Sequence, residues 1–116
     1  MINYPQNISV FQLKHWLESQ DVKPIIIDVR EDMELKNAPF PYPVIHIPMS
    51  KVSIDFVSLK LDILKNNELV ILCHMGVRSY HFGNFLLENK FVEKVWNLEN
   101  GIDGWSVHID PKVPRY

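Results

Sequence analysis

The only cysteine of this chain stands in Cys73-His74-Met75-Gly76-Val77-Arg78-Ser79, after an apolar run, Leu69-Val70-Ile71-Leu72, and before a helical pattern. The run reads as a buried strand, so the thiol falls at a strand's carboxyl end, just ahead of a helix N-terminus. A helix start offers unpaired N–H groups and the positive end of the helix dipole. Arg78 adds a fixed cation, and both features favour a thiolate. Gly76 lets the backbone turn inward with a positive φ. A buried, inert cysteine is the plain alternative, because free Cys is among the most buried residue types. Strand, glycine, arginine and helix together favour nucleophilic chemistry. Attack of such a thiolate on a sulfane sulfur obeys the rules of thiol–disulfide exchange. The persulfide anion it would form needs N–H donors around it, and a tight loop supplies them.

The neighbours each carry two readings. Arg78 either binds an oxyanion of a sulfur donor or braces the loop through carbonyls and Asp28. Asp28 and Arg30 follow the β-branched run Ile25-Ile26-Ile27 and read as a pair that holds a neighbouring loop. His74 either tunes the nucleophile and meets substrate or faces solvent. Ser79 is either an N-cap of the next helix or a catalytic hydroxyl. His15, His46, His81 and His108 are scattered; none pairs with Cys73 at a metal-ligand spacing, so no metal and no cofactor is expected. Trp16, Trp96 and Trp105 read as packing, as do Phe40 and Tyr42.

The elements that must position these groups follow from periodicity. Ser9 and Gln12 form a capping box, and Val10, Leu13, Trp16 and Leu17 recur at helical spacing towards Gln20. Ile25–Ile27 suits a strand buried on both faces. Residues 32–48, with Pro39, Pro41, Pro43 and Pro48, exclude a long helix but leave a short strand at Val44–Ile47. Residues 50–64 carry mixed helical signals. A helix is expected over Ser79–Asn89, a strand over Val92–Leu98, a turn at Asn100-Gly101 and a short helix over Ile102–Val107, before an extended tail. Helices alternating with short β-branched strands predict an α/β sandwich around a mostly parallel sheet. Ligands of such sheets bind beyond the carboxyl ends of the strands, where Cys73 and Asp28 both fall.

With 116 residues the expectation is a single domain over 1–116, and 47% hydrophobic residues suffice for a core. A formal net charge of -2 gives no basic footprint for nucleic acid and no polybasic membrane patch. One cysteine cannot form an internal disulfide. With no leader-like or bilayer-length apolar run, a cytoplasmic, reducing setting is expected.

The motifs, in order along the chain, resemble those of single-domain rhodaneses, the thiosulfate or persulfide sulfurtransferases. Cys73 through Ser79 resembles the active-site loop. Asp28-Val29-Arg30 is similar to the first motif, His46-Ile47-Pro48 to the His-Ile-Pro segment, and Asn100-Gly101-Ile102-Asp103-Gly104-Trp105 to the late Gly-Gly-Ile-x-x-Trp segment. The resemblance spans residues 25–105. It implies a three-layer sandwich with a five-stranded, mostly parallel sheet between helices. It also implies that Cys73 takes a sulfane sulfur from thiosulfate or a persulfide and passes it to a thiol, cyanide or protein acceptor. The persulfide would lie against the loop positions His74, Met75, Gly76, Val77, Arg78 and Ser79. This chain departs from the family in the proline-rich approach over Leu35–Val44 and in Met75, where a polar or basic residue is common. Two rivals share the fold: a non-catalytic interaction or regulatory module, and a Cys-dependent phosphatase of the Cdc25 type. Such phosphatases place five residues between Cys and Arg. Here four lie between Cys73 and Arg78, a smaller ring that suits sulfur better than phosphate.

Overall fold

The four consecutive residues Leu69–Leu72 are all fully buried, as a strand covered by helices on both faces must be. They form β4, the middle of a five-stranded sheet. The computed structural model describes residues 4–19 and 21–116. In chain order it contains β1 (Gln6–Ile8), α1 (Val10–Glu18), β2 (Ile25–Asp28), α2 (Asp32–Asn37), β3 (Ile45–His46), α3 (Ile54–Ser58), α4 (Leu61–Lys65), β4 (Leu69–Leu72), α5 (Val77–Glu88), β5 (Trp96–Leu98) and α6 (Gly101–His108). A single 3-10 turn at Met49–Lys51 follows β3. The sheet order is β1-β5-β4-β2-β3, and every pairing is parallel. This is a rhodanese-like α/β sandwich. Among the described residues no helix is long and apolar enough to cross a membrane.

Strand alternation divides the core between the two faces. Ile26, Val70 and Leu72 pack with α1 (Leu13, Leu17) and α6 (Ile102, Trp105). Ile27, Leu69 and Ile71 pack with Val57, Leu64 and α5 (Phe82, Leu86) on the other face. Phe40 lies 4.8 Å and Tyr42 6.0 Å, centroid to centroid, from the buried Trp105. The proline-rich segment therefore contributes aromatic packing to the first core. The register sets Asp28 beside both Leu72 and His46, so the carboxyl ends of β2, β3 and β4 meet at one edge, with Cys73 one residue beyond.

Local chemistry sets the boundaries. The Ser9 and Gln12 side chains exchange the two bonds of a capping box and start α1; its expected end at Gln20 lies outside the described residues. Helix α5 begins at Val77, two residues before the expected start, because Gly76 with φ 100° serves as its N-cap. Ser79 is therefore inside the helix and does not cap it. The strand expected over Val92–Leu98 is confined to Trp96–Leu98, since residues 91–95 turn the chain out of α5 after Lys90, whose φ is 59°. Two elements went unread in the sequence. β1 is a three-residue edge strand of sequence Gln-Asn-Ile, too short for a period to show. α2 sits ahead of the first proline of its segment and starts with a capping box between Glu31 and Glu34.

Candidate active site

Cys73 is 1% exposed. Its Sγ accepts the Gly76 N–H at 3.0 Å and lies 3.2 Å from Ser79 Oγ. The left-handed Gly76 folds the loop back so that its amide, directly ahead of α5, points at the sulfur. Of the loop amides it is the one that reaches Sγ. A second helix holds the loop from below. The Cys73 and His74 carbonyls accept Ile102 N–H (2.9 Å) and Asp103 N–H (3.0 Å), so the unpaired amides of the first turn of α6 are satisfied by the loop. This contact brings Gly101 so close that a Cβ there would lie 2.4 Å from the Cys73 carbonyl oxygen, at φ +55°.

Arg78 turns away from Asp28, against one of its two expected roles. Both of its terminal nitrogens donate to Glu34 of α2, each at 2.7 Å. This hydrogen bonding, ahead of an opposing burial effect, holds the Glu34 carboxyl down at about 2 and raises Arg78 above its usual range. Asp28 and Arg30 pair with each other, both fully buried, with Arg30 Nη2 2.8 Å and Nε 3.0 Å from the carboxylate. Burial opposes the Arg30 charge, but bonds to Asp28 and Tyr116 outweigh it and raise its pKa. Tyr116 links the two ion pairs. Its hydroxyl accepts from Arg30 Nη1 (3.1 Å) and donates to Glu34 Oε1 (3.0 Å). Its ring stacks on His74 with centroids 4.1 Å apart, and the His74 Nε2 is buried without a hydrogen-bond partner. His46 reaches the Arg30 carbonyl at 2.6 Å and so braces the same edge.

The candidates thus separate into three groups. Cys73, Gly76 and Ser79 surround the sulfur. Asp28, Arg30 and Arg78 form the framework behind the loop. Met75 and Val77 are exposed beside it, and with Gly76, Tyr80, His81 and Asn97 they line an open cavity of about 400 Å³. A cavity of similar size at the other end of the sheet, bordered by Lys65, Glu68 and Lys94, contains no nucleophile. Sequence reasoning missed Glu34, Asn97 and Tyr116. Glu34 lay hidden in an unread helix, although its spacing from Glu31 is a capping-box signal. Asn97 and Tyr116 gave none, since each acts through a contact far along the chain. Among the described residues no cluster of three His, Cys, Asp or Glu side chains is placed to bind a metal.

Comparison with known proteins agrees with this arrangement. The family model described as a rhodanese-like domain matches residues 9–108. The chain is 34% identical over 107 residues to YtwF of Bacillus subtilis (strain 168), which is named as a candidate sulfurtransferase; the match covers 92% of this chain and 96% of that protein. It is 29% identical over 96 residues to a protein of Allochromatium vinosum named sulfurtransferase, covering 83% and 82% of the two chains. A crystal structure of a rhodanese-like domain protein from Staphylococcus aureus superposes with a TM-score of 0.70 at 28% identity, covering 96% of this chain and 98% of that one.

Proposed function

The chain belongs to the rhodanese-like family and is a sulfurtransferase of that type; from this premise we propose that Cys73 carries the sulfur. The thiolate of Cys73 attacks the sulfane sulfur of a donor. The donor's S–S bond breaks and its electron pair leaves with the departing thiolate or sulfite. The product is a Cys73 persulfide, whose terminal sulfur sits in the loop formed by His74 through Ser79. A thiol, cyanide or a protein nucleophile then attacks that sulfur and restores the cysteine. The single observation behind this reading is the Gly76 N–H aimed at Sγ at the start of α5. A donor there stabilises negative charge on sulfur without reorganisation.

Among donors, the site's charge balance favours a persulfide over thiosulfate. Both guanidiniums at this edge are matched, Arg78 by Glu34 and Arg30 by Asp28. Neither is left to neutralise a dianion. The exposed Met75 and Val77 give the entrance an apolar rim. A single free thiol suits a reducing compartment, the cytoplasm, and residues 1–116 act as one catalytic domain.

Cys73→Ser tests the reading. The two side chains are close in size, so the variant folds with little change in stability. It transfers no sulfur from either thiosulfate or a polysulfide. Sulfur transfer by the serine variant would remove Cys73 from the mechanism.

A further inference from the structure

Beyond the sulfur itself, hydrogen-bond polarity around Ser79 identifies a positioning residue. Asn97 of β5 is 4% exposed. One end of its amide lies 3.2 Å from the Gly76 carbonyl and 3.1 Å from Asn7 Oδ1. A backbone carbonyl only accepts, so that end is the NH₂ group and the other end is the carbonyl oxygen. This oxygen faces Ser79 Oγ at hydrogen-bond distance. It too only accepts, so the single Ser79 hydroxyl proton goes to Asn97. What Ser79 turns to Cys73 Sγ, 3.2 Å away, is therefore a lone pair.

We propose that Ser79, its proton pinned by Asn97, accepts the S–H of Cys73 and holds the resting enzyme as the neutral thiol, while the Gly76 amide favours the anion. This rests on the sulfur-carrier reading above and deepens it. The surrounding charges do not perform this task. Arg78 of α5 is paired with Glu34 of α2, Asp28 of β2 with Arg30 and Asp103 of α6 with Arg115, and His74 in the loop is stacked on Tyr116. Loading from a persulfide RS–SH then balances without an outside acid or base. The Cys73 S–H bond breaks and its electron pair forms the new S–S bond to the sulfane sulfur. The donor's S–S bond breaks, and the departing RS⁻ takes the released proton as RSH. In the persulfide, Sγ has neither proton nor charge, and the Ser79 lone pair meets it without repulsion.

The test is alkylation of Cys73 by iodoacetamide across pH, each variant's rate near neutrality being expressed as a fraction of its own alkaline plateau. This normalisation removes differences in access. Ser79→Ala deletes the acceptor, and the neutral-pH fraction rises about threefold to tenfold, the range of one net hydrogen bond. Asn97→Ala frees the hydroxyl to donate to the thiolate, and the fraction rises at least as far. The double variant returns to the Ser79→Ala level, because the freed hydroxyl is then gone. An unchanged or lower fraction in Ser79→Ala overturns the proposal, since it would mean that Ser79 donates to the thiolate or does not act on it. If Asn97→Ala fails to fold, Ser79→Ala decides alone. Mass measurement of sulfur loading on the same samples keeps the two claims apart. Loading with the reverse alkylation order defeats only the Ser79 assignment, and the predicted order without loading defeats only the sulfur-carrier reading.

Discussion

Cys73 depends on two glycines, and they act differently. Gly76 supplies a turn, with φ 100°, that aims its own N–H at the sulfur. Gly101 supplies closeness: a methyl group there would overlap the Cys73 and His74 carbonyls, at 2.4 and 2.5 Å, in a left-handed conformation. Gly101→Ala therefore combines backbone strain with a steric clash against backbone, which cannot swing aside. We expect it to cost about 2–3 kcal/mol, read as a lower urea midpoint at unchanged slope. A loss under about 0.5 kcal/mol, the range of an ordinary surface substitution, would mean that α6 and the loop are not clamped together. Cys73 and Gly76 were readable in the sequence because their roles are local. Gly101 was visible only as a turn, since nothing nearby in the chain announces contact with the loop from Cys73. Arg78 was found, but not its partner.

At the scale of elements, the pair between Glu34 and Arg78 ties α2 to α5. Glu34 is held at about 2, below its usual value of 4.5. A depressed carboxyl contributes stability that is fully present above about 4.5 and is lost as pH falls through about 2. Glu34→Gln keeps an acceptor but removes the charge. Its stability should lie below that of wild type at about pH 6, and the gap should close on acidification towards pH 2. Urea midpoints for both proteins across that range check this, and a gap independent of pH would assign the contact to packing. α2 itself was obscured by the prolines that follow it, beginning at Pro39. Its six residues carry too few apolar positions for a period to emerge, and none of them is buried. β1 escaped for a related reason: it is defined by pairing with β5, a partner about 90 residues away. The central strands β2 and β4 were legible because burial on both faces demands continuous β-branched and aliphatic runs, which no turn or surface helix tolerates.

The whole molecule brings the strand ends, two helix starts and the segment ending at Tyr116 to one edge of a parallel sheet. Topology alone placed Cys73 and Asp28 there. It could not say that Tyr116 would bridge their ion pairs. The same frame is compatible with phosphate chemistry in principle, and loop size decides against it. With four residues between Cys73 and Arg78 and Arg78 engaged by Glu34, too few donors converge to wrap a phosphate at about 2.7–3.1 Å. Aryl phosphate hydrolysis should not exceed that of the Cys73→Ser control, and robust hydrolysis dependent on Cys73 would reverse the assignment. The most direct measurement of the central claim is the mass of the intact protein after brief incubation with a low-molecular-weight persulfide or thiosulfate, before and after an acceptor thiol is added. The account predicts a gain of one sulfur atom, located on the peptide containing Cys73, and its loss when the thiol is added. A protein whose mass does not change, or whose added sulfur lies elsewhere and survives the thiol, would contradict it.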